Sequence, residues 1–236
     1  MTTIRTLLSD PTRQEKKVLE KLLCHATGLT KEQLFTSYDI ELTPEQLTQI
    51  YAGYHAYTVE KKPLDYILGS VEFYRRPFKV DGRCLVPRPE TEYMIEGVCE
   101  HIASRAENDD HDALTAGAPA HNHRTLIDVG TGCGVLGLSV LLENPTFFNH
   151  AYLTEYYEDT LSLAHENFTT YKESLGAHTD ITLLQGNLID FLSTTPAVSP
   201  SDEIILIANL PYIPDETFDT QAEDNVKKRE PRPAFV

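Results

Sequence analysis

Positive charge is scarce in this sequence. Its 236 residues carry 20 Lys and Arg against 36 Asp and Glu, a formal charge of −16 with His neutral, and between Arg124 and Lys227 the one residue of either basic kind is Lys172. Such a region has little with which to neutralise phosphates, which counts against a nucleic-acid substrate. Long hydrophobic runs are missing too. The longest unbroken aliphatic stretch, Ile204 to Ala208, has five residues, far below the roughly 20 of a bilayer-spanning helix. Met1 to Lys17 include Asp10, Pro11 and Glu15 and lack an apolar segment followed by a small-residue cleavage site, so a cytoplasmic chain without membrane contact is expected. Cys24, Cys84, Cys99 and Cys133 form no C-x-x-C pair. A chain of this length needs no disulfide staples, and reduced thiols are expected. His111, His121 and His123 lie in a polar, low-complexity stretch that reads as a solvated linker; no metal site is expected.

What is present divides in two. Residues 1–70 hold 8 basic and 9 acidic side chains, whereas residues 71–236 hold 12 and 27. The first part reads as a small helical bundle. Asp10-Pro11 offers an N-cap and an N1 proline, Val18, Leu19, Leu22 and Leu23 form an apolar stripe, and Gly28 stops the helix. A second helix restarts at Thr30 to Gln33. Thr43-Pro44-Glu45-Gln46 is a capping box, followed by Leu47, Ile50, Tyr51, Tyr54 and Tyr57 at helical spacing, read as packed core with wet hydroxyl ends. Residues 71–88 change to short β-rich runs around Asp81-Gly82 and predict a hairpin linker. Pro87-Arg88-Pro89 opens a helix with Met94, Ile95, Val98 and Ile102 on one side, and residues 105–123, without periodicity, predict a mobile loop.

From there strand and helix alternate. Thr125 to Val129, Ala151 to Thr154, Ile181 to Leu184 and Glu203 to Ala208 read as strands, with helices over Val135 to Leu142 and Thr160 to Tyr171. The fold class expected is α/β, a parallel doubly wound sheet over residues 89–236.

Three features carry chemistry. Asp128-Val-Gly130-Thr131-Gly132-Cys133-Gly134 joins a strand to a helix, where missing side chains let a ligand approach the backbone. Its G-x-G-x-G spacing differs from the dinucleotide and Walker patterns and lacks a phosphate-binding lysine, so the ligand need not be a phosphate. Glu155 ends the next strand, where an acid accepts both ribose hydroxyls, so an unphosphorylated adenosine would fit. Asn209-Leu210-Pro211-Tyr212 follows the fourth strand at the carboxyl edge. There the Asn209 side chain and the Leu210 carbonyl offer two acceptors for a planar NH2 group, with Tyr212 as a flat packing surface.

Together these motifs resemble class I S-adenosylmethionine-dependent methyltransferases of the amino-group type. Pro63-Leu-Asp-Tyr-Ile-Leu-Gly69, Glu72-Phe73-Tyr74 and Leu85-Val-Pro-Arg-Pro-Glu-Thr-Glu92 resemble segments of the release-factor glutamine methyltransferases, the HemK-like family. The resemblance implies that Gly130, Thr131, Gly132, Cys133, Gly134 and Glu155 bind S-adenosylmethionine, with Asn187 and Leu188 flanking its adenine. Asn209, Leu210, Pro211 and Tyr212 would form the catalytic, substrate-holding loop. The substrate implied is the glutamine of the Gly-Gly-Gln motif in peptide chain release factors, gripped with the help of residues 1–70. Competing readings are a nucleic-acid adenine N-methyltransferase, which would need a basic groove, and a catalytically impaired release-factor-binding module.

Three departures from the family pattern bear on these expectations. Leu210 stands where a first proline is usual, which frees its φ and predicts a looser acceptor pair. Asn187 and Leu188 replace an acid and an aromatic, which predicts weaker cofactor affinity. Few residues follow Glu230-Pro231-Arg232, so the sheet is expected to lack its C-terminal strands and to expose an apolar edge at Ile204 to Ile207.

Overall fold

The computed structural model describes residues 2–10, 15–112, 123–193 and 203–236. It divides into two compact units, Met1–Gly69 with Asp224–Arg229, and Ser70–Glu223 with Glu230–Val236.

The first unit is helical: α1 (Ile4–Leu8), α2 (Lys16–Thr27), α3 (Lys31–Thr36), α4 (Pro44–Thr58) and α5 (Leu64–Leu68). The capping box read at Thr43 forms, and a second one forms at Thr30. Thr30 and Thr43 accept the N3 backbone N–H of Gln33 and Gln46, whose side chains reach back to the cap N–H at 2.9 Å. Gly28 closes α2 at φ +72°, donating its N–H to the Cys24 carbonyl at 2.8 Å. The start of α2 differs from the expectation. It begins at Lys16 without a side-chain cap, while Pro11 lies outside the described residues. The unanticipated α1 takes its cap from Thr3, which accepts the Thr6 N–H. Ile4, Leu7, Leu19, Leu22, Leu23, Leu34 and Ile50 form the core, with Tyr54 and Tyr57 packed against it and Tyr51 exposed.

The second unit opens with an antiparallel hairpin, β1 (Ser70–Phe73) and β2 (Arg76–Lys79). Its turn is Tyr74-Arg75, both at positive φ (+46° and +63°), and not Asp81-Gly82. A two-residue hairpin loop takes positive φ at both central residues to match the strand twist, and Glu92, 18 positions on, accepts the Tyr74 N–H at 2.9 Å. A short-range sequence pattern does not show such a support. Cys84 to Val86 is loop, not strand. After a one-turn 3-10 helix at Pro89–Thr91, α6 runs over Glu92–Asp112. The expected loop at 105–123 is therefore helical through residue 112. Residues 113–122 lie outside the described residues.

The sheet is parallel, with β3 (Arg124–Val129), β4 (His150–Glu155), β5 (Asp180–Gln185) and β6 (Glu203–Ala208) in the order β5-β4-β3-β6. Helix α7 (Val135–Glu143) connects β3 to β4 and α8 (Glu158–Leu175) connects β4 to β5. β3 and β4 are central and nearly all buried, and α7 is buried along Val135 to Leu141, which explains their continuous apolar runs. At the β6 edge, Ile204 and Leu206 are exposed and Ile207 is buried, so alternate residues, not the whole run, face outward. The second unit continues through α9 (Asp215–Gln221) and ends with a 3-10 turn at Arg232–Ala234, while α10 (Asp224–Arg229) between them belongs to the first unit. Among the described residues no helix is long and apolar enough to cross a membrane.

Candidate active site

The carboxyl ends of all four parallel strands converge on one cavity of about 690 Å³ that lies within the second unit, the position where open α/β sheets bind ligands. The first wall is the turn after β3. Gly130, Gly132 and Gly134 sit at φ +68°, +60° and +87°, conformations that a side chain would strain. Asp128 fastens this turn to α7: its Oδ2 accepts the Thr131 hydroxyl at 2.6 Å and the Gly137 N–H at 2.9 Å. A Cβ on Gly137 would stand 2.7 Å from that oxygen, so the close approach requires glycine. Burial drives the Asp128 pKa up to about 6, against the pull of those two donors and with a small push from the Glu155 charge.

Glu155 ends β4 as the second wall and is 8% exposed. Its Oε2 accepts the Gly132 N–H at 3.0 Å, and its Oε1 accepts those of Tyr156 and Tyr157 at 2.9 and 3.1 Å. The carboxylate thus shapes the glycine turn from across the cleft and keeps lone pairs for hydroxyl donors. After β5, Gly186 donates its N–H to the Glu155 carbonyl, and the Leu188 carbonyl accepts the Thr154 hydroxyl at 3.2 Å. Leu188 adopts φ +51°.

The wall after β6 is Asn209-Leu210-Pro211. Asn209 Nδ2 donates to Thr91 Oγ1 at 3.3 Å. Leu210 packs against the cluster of Ile127, Val129 and Tyr152, and a Cβ added to Gly130 would lie 2.7 Å from Leu210 Cδ2. Leucine in place of proline thus brings a side chain seated over a glycine that has no Cβ.

Of the residues expected at the site, Gly130, Thr131, Gly132, Cys133, Glu155, Asn187, Leu188, Asn209, Leu210 and Pro211 line this cavity. Two do not. Gly134 faces Leu138 and Ala164, where a Cβ would meet Leu138 at 3.0 Å; it serves packing of α7 and α8. Tyr212 is 83% exposed and lies outside the lining, so it supplies no wall.

Sequence reasoning missed the floor on the other side. Cys84, Pro87, Arg88 and Thr91 line the same cavity. Glu230 is buried and joins them to the chain's last segment: its Oε1 pairs with Arg88 at 2.7 Å and its Oε2 accepts the Val86 N–H at 3.2 Å. The signal lay in the P-R-P-E-T-E and Glu-Pro-Arg runs, 142 residues apart at this contact. Asn167, also buried, braces the turn from α8 by donating to the carbonyls of Cys133 (2.8 Å) and Lys79 (3.0 Å) and accepting the Lys79 N–H (2.8 Å). The Cys133 thiol is pushed up by its hydrogen bond with Cys84 and by burial. It stays protonated near neutrality and cannot compete as a thiolate nucleophile beside an electrophilic ligand. Among the described residues, no group of His, Cys, Asp or Glu could hold a metal ion.

The donor set fits an adenosine-type ligand. A carboxylate faces the cleft, and a Cβ on Gly132 would project into open space, so backbone is what a ligand would meet there.

Residues 3–69 match the family model described as the PrmC N-terminal domain. Over 218 residues the chain is 32% identical to a release factor glutamine methyltransferase of Bacillus anthracis and 31% identical to that of Bacillus cereus, in each case over 92% of this chain and 67% of the relative. Over 217 residues it is 30% identical to the release factor glutamine methyltransferase of Chlorobaculum tepidum, with the same coverage.

Proposed function

The chain belongs to the release factor glutamine methyltransferase family, and from that premise we propose that it transfers a methyl group from S-adenosylmethionine to the side-chain amide nitrogen of the glutamine in the Gly-Gly-Gln motif of release factors. One juxtaposition carries this reading: the Asn209-Leu210 acceptors stand on the same cavity as the glycine turn and the Glu155 carboxylate.

When bound, S-adenosylmethionine supplies a methyl group on positively charged sulfur. Gly130, Thr131, Gly132 and Cys133 present backbone to it, Glu155 accepts from its ribose hydroxyls, and Asn187 and Leu188 border the base. Asn209 and Leu210 act on the substrate. An amide nitrogen is a weak nucleophile because its lone pair is delocalised into the carbonyl, so orientation supplies much of the rate. Asn209 Oδ1 and the Leu210 carbonyl each accept one N–H of the carboxamide, fixing its plane and turning the nitrogen's face toward the methyl donor. Both bonds strengthen as the nitrogen becomes positive, which lowers the barrier rather than merely tightening binding. The extra proton leaves after transfer, and no dedicated base is assigned. Pro211 holds Leu210 extended so that its carbonyl projects into the cavity. Residues 1–70 recognise the release factor, a protein partner compatible with the acidic surface. We place the reaction in the cytoplasm, with neither membrane nor nucleic acid as partner.

Incubation with isotopically labelled S-adenosylmethionine and a release factor tests this. Label appears on the release factor and disappears when its Gly-Gly-Gln glutamine is replaced. Label on an RNA or DNA oligomer instead would establish the adenine methyltransferase reading.

A further inference from the structure

We infer that Arg88 receives the α-carboxylate of S-adenosylmethionine and so makes the site prefer the whole cofactor to its decarboxylated form. The inference rests on the reading of this cavity as the cofactor's. The methionine end of S-adenosylmethionine is a zwitterion, yet no side chain so far assigned to the cofactor carries positive charge. Asp128, Glu155 and Asp159 line the cavity and repel a carboxylate. The start of α7, where backbone N–H groups would otherwise draw an anion, is already held by Asp128, whose Oδ2 accepts the Gly137 N–H at 2.9 Å. The carboxylate therefore needs a cation, and two cationic side chains, Arg83 and Arg88, line the cavity.

Arg83 is already occupied. Its Nε and Nη2 donate to the two oxygens of Asp81 at 2.7 to 3.1 Å, and Nη2 also donates to Glu166 at 2.9 Å. Two carboxylates hold that one guanidinium and leave it little attraction for a third. Arg88 differs. Its Nη2 donates to Glu230 Oε1 at 2.7 Å, and Glu230 divides its charge between that bond and the Val86 N–H, which its Oε2 accepts at 3.2 Å. Arginine presents its N–H donors in a rigid fork, and among the described residues Nε and Nη1 of Arg88 have no acceptor of their own. The two partners are also placed unequally: the Arg88 side chain is 42% exposed and that of Glu230 is 3% exposed. Glu230 thus holds the arginine from the buried side, and the residue borders the cavity. Because a guanidinium only donates, the partner it admits is an acceptor, and a charged one is favoured.

The test is calorimetric titration of the intact chain with S-adenosylmethionine and with its decarboxylated form, which lacks the carboxylate and keeps the sulfonium, ribose and base. The readout is the ratio of the two Kd values, in which a general loss of affinity cancels. Arg88→Met is combined with Glu230→Gln, so that no buried carboxylate is left alone. In that chain the Kd for S-adenosylmethionine rises about tenfold to 100-fold, the worth of a hydrogen bond to a charged group, while the Kd for the decarboxylated form changes less than about threefold. Glu230→Gln by itself keeps the wild-type preference. Should the double variant fail to fold, Arg88→Lys decides: it keeps a charge beside Glu230 but not the fork that spans two acceptors, and the preference falls in it as well. An unchanged ratio, or an equal fall in Glu230→Gln alone, overturns the inference; an unchanged ratio with a raised KM for the release factor would turn Arg88 toward the substrate. Failure of the wild-type chain to bind either compound, or binding that Glu155→Ala leaves untouched, would sink the reading of the cavity and the inference with it. Binding that Glu155→Ala abolishes, with an unmoved ratio in the Arg88 variants, would sink the role of Arg88 alone.

Discussion

At the residue scale, neighbouring glycines in one turn have different jobs. Gly130 and Gly132 share positive φ, yet a Cβ on the first meets Leu210 at 2.7 Å and a Cβ on the second meets nothing within 4 Å. Gly130→Ala therefore acts on the fold: it displaces Leu210 and strains φ, lowering stability by roughly 1–3 kcal/mol in denaturant titration. Gly132→Ala carries only the backbone strain, about 1–2 kcal/mol, but its methyl occupies ligand space, so cofactor affinity falls more than stability does. Equal effects of the two substitutions on both readouts would contradict this division. Asp128 gives a pH signature. Its native pKa of about 6 lies above the ordinary 3.8, so the folded state binds the proton more tightly than the unfolded state. The stabilisation from that proton is fully present below about pH 3.8 and is lost as pH rises through about 6, on the order of 3 kcal/mol. Asp128→Asn should flatten stability against pH within that window, as urea midpoints would show; an unchanged slope would mean that the carboxyl is not perturbed.

At the scale of elements, the structure explains which features the sequence makes legible. The capping box at Thr43 is local, completed within four residues, and forms as read; at Thr30, where only a helix start was read, a second box forms. β3 and β4 are recognised because parallel strands covered on both faces are continuous apolar runs. The hairpin turn is not legible, because Tyr74 and Arg75 are not the Gly, Asn or Asp that signal a turn with positive φ. Helix α6 outlasts its apolar stripe, and no apolar periodicity marks its last turns in the sequence. Within the site, the glycine turn, Glu155 and Asn209 stand out by residue type and place. Thr91, Arg88 and Glu230 do not, since each meets a partner far away in sequence. The Glu230 tether is open to direct measurement. Glu230→Ala leaves the Val86 N–H without its acceptor and Arg88 without its partner, and is expected to cost about 2 kcal/mol. Glu230→Gln keeps one acceptor and should cost about half as much. If both are neutral by thermal denaturation, the tether contributes nothing to holding the Val86-Arg88 segment.

At the scale of the whole molecule, ligand binding must register as stability, since the turn, the β4 end and the β5 end are joined through Glu155. S-adenosylmethionine at about 100 times its Kd should stabilise the chain by roughly 2.7 kcal/mol, visible as a rise in Tm. Glu155→Ala removes the proposed ribose acceptor and the brace on Gly132 together, and should abolish that rise at the same ligand concentration. A full shift in Glu155→Ala would place the ribose elsewhere. The acidity of the second unit, so uneven in the sequence, is consistent with a protein substrate and a positively charged methyl donor.

The account stands on Asn209 acting upon the substrate and not upon the cofactor. Its most direct test is the single-turnover rate of methyl transfer to a release factor by Asn209→Ala, measured beside the Kd for S-adenosylmethionine on the same preparation. The prediction is a rate reduced at least about 100-fold, the usual scale for removing a group that stabilises developing charge, with the Kd within about twofold of wild type. A rate that survives, or a Kd that weakens in step with it, would contradict the assignment.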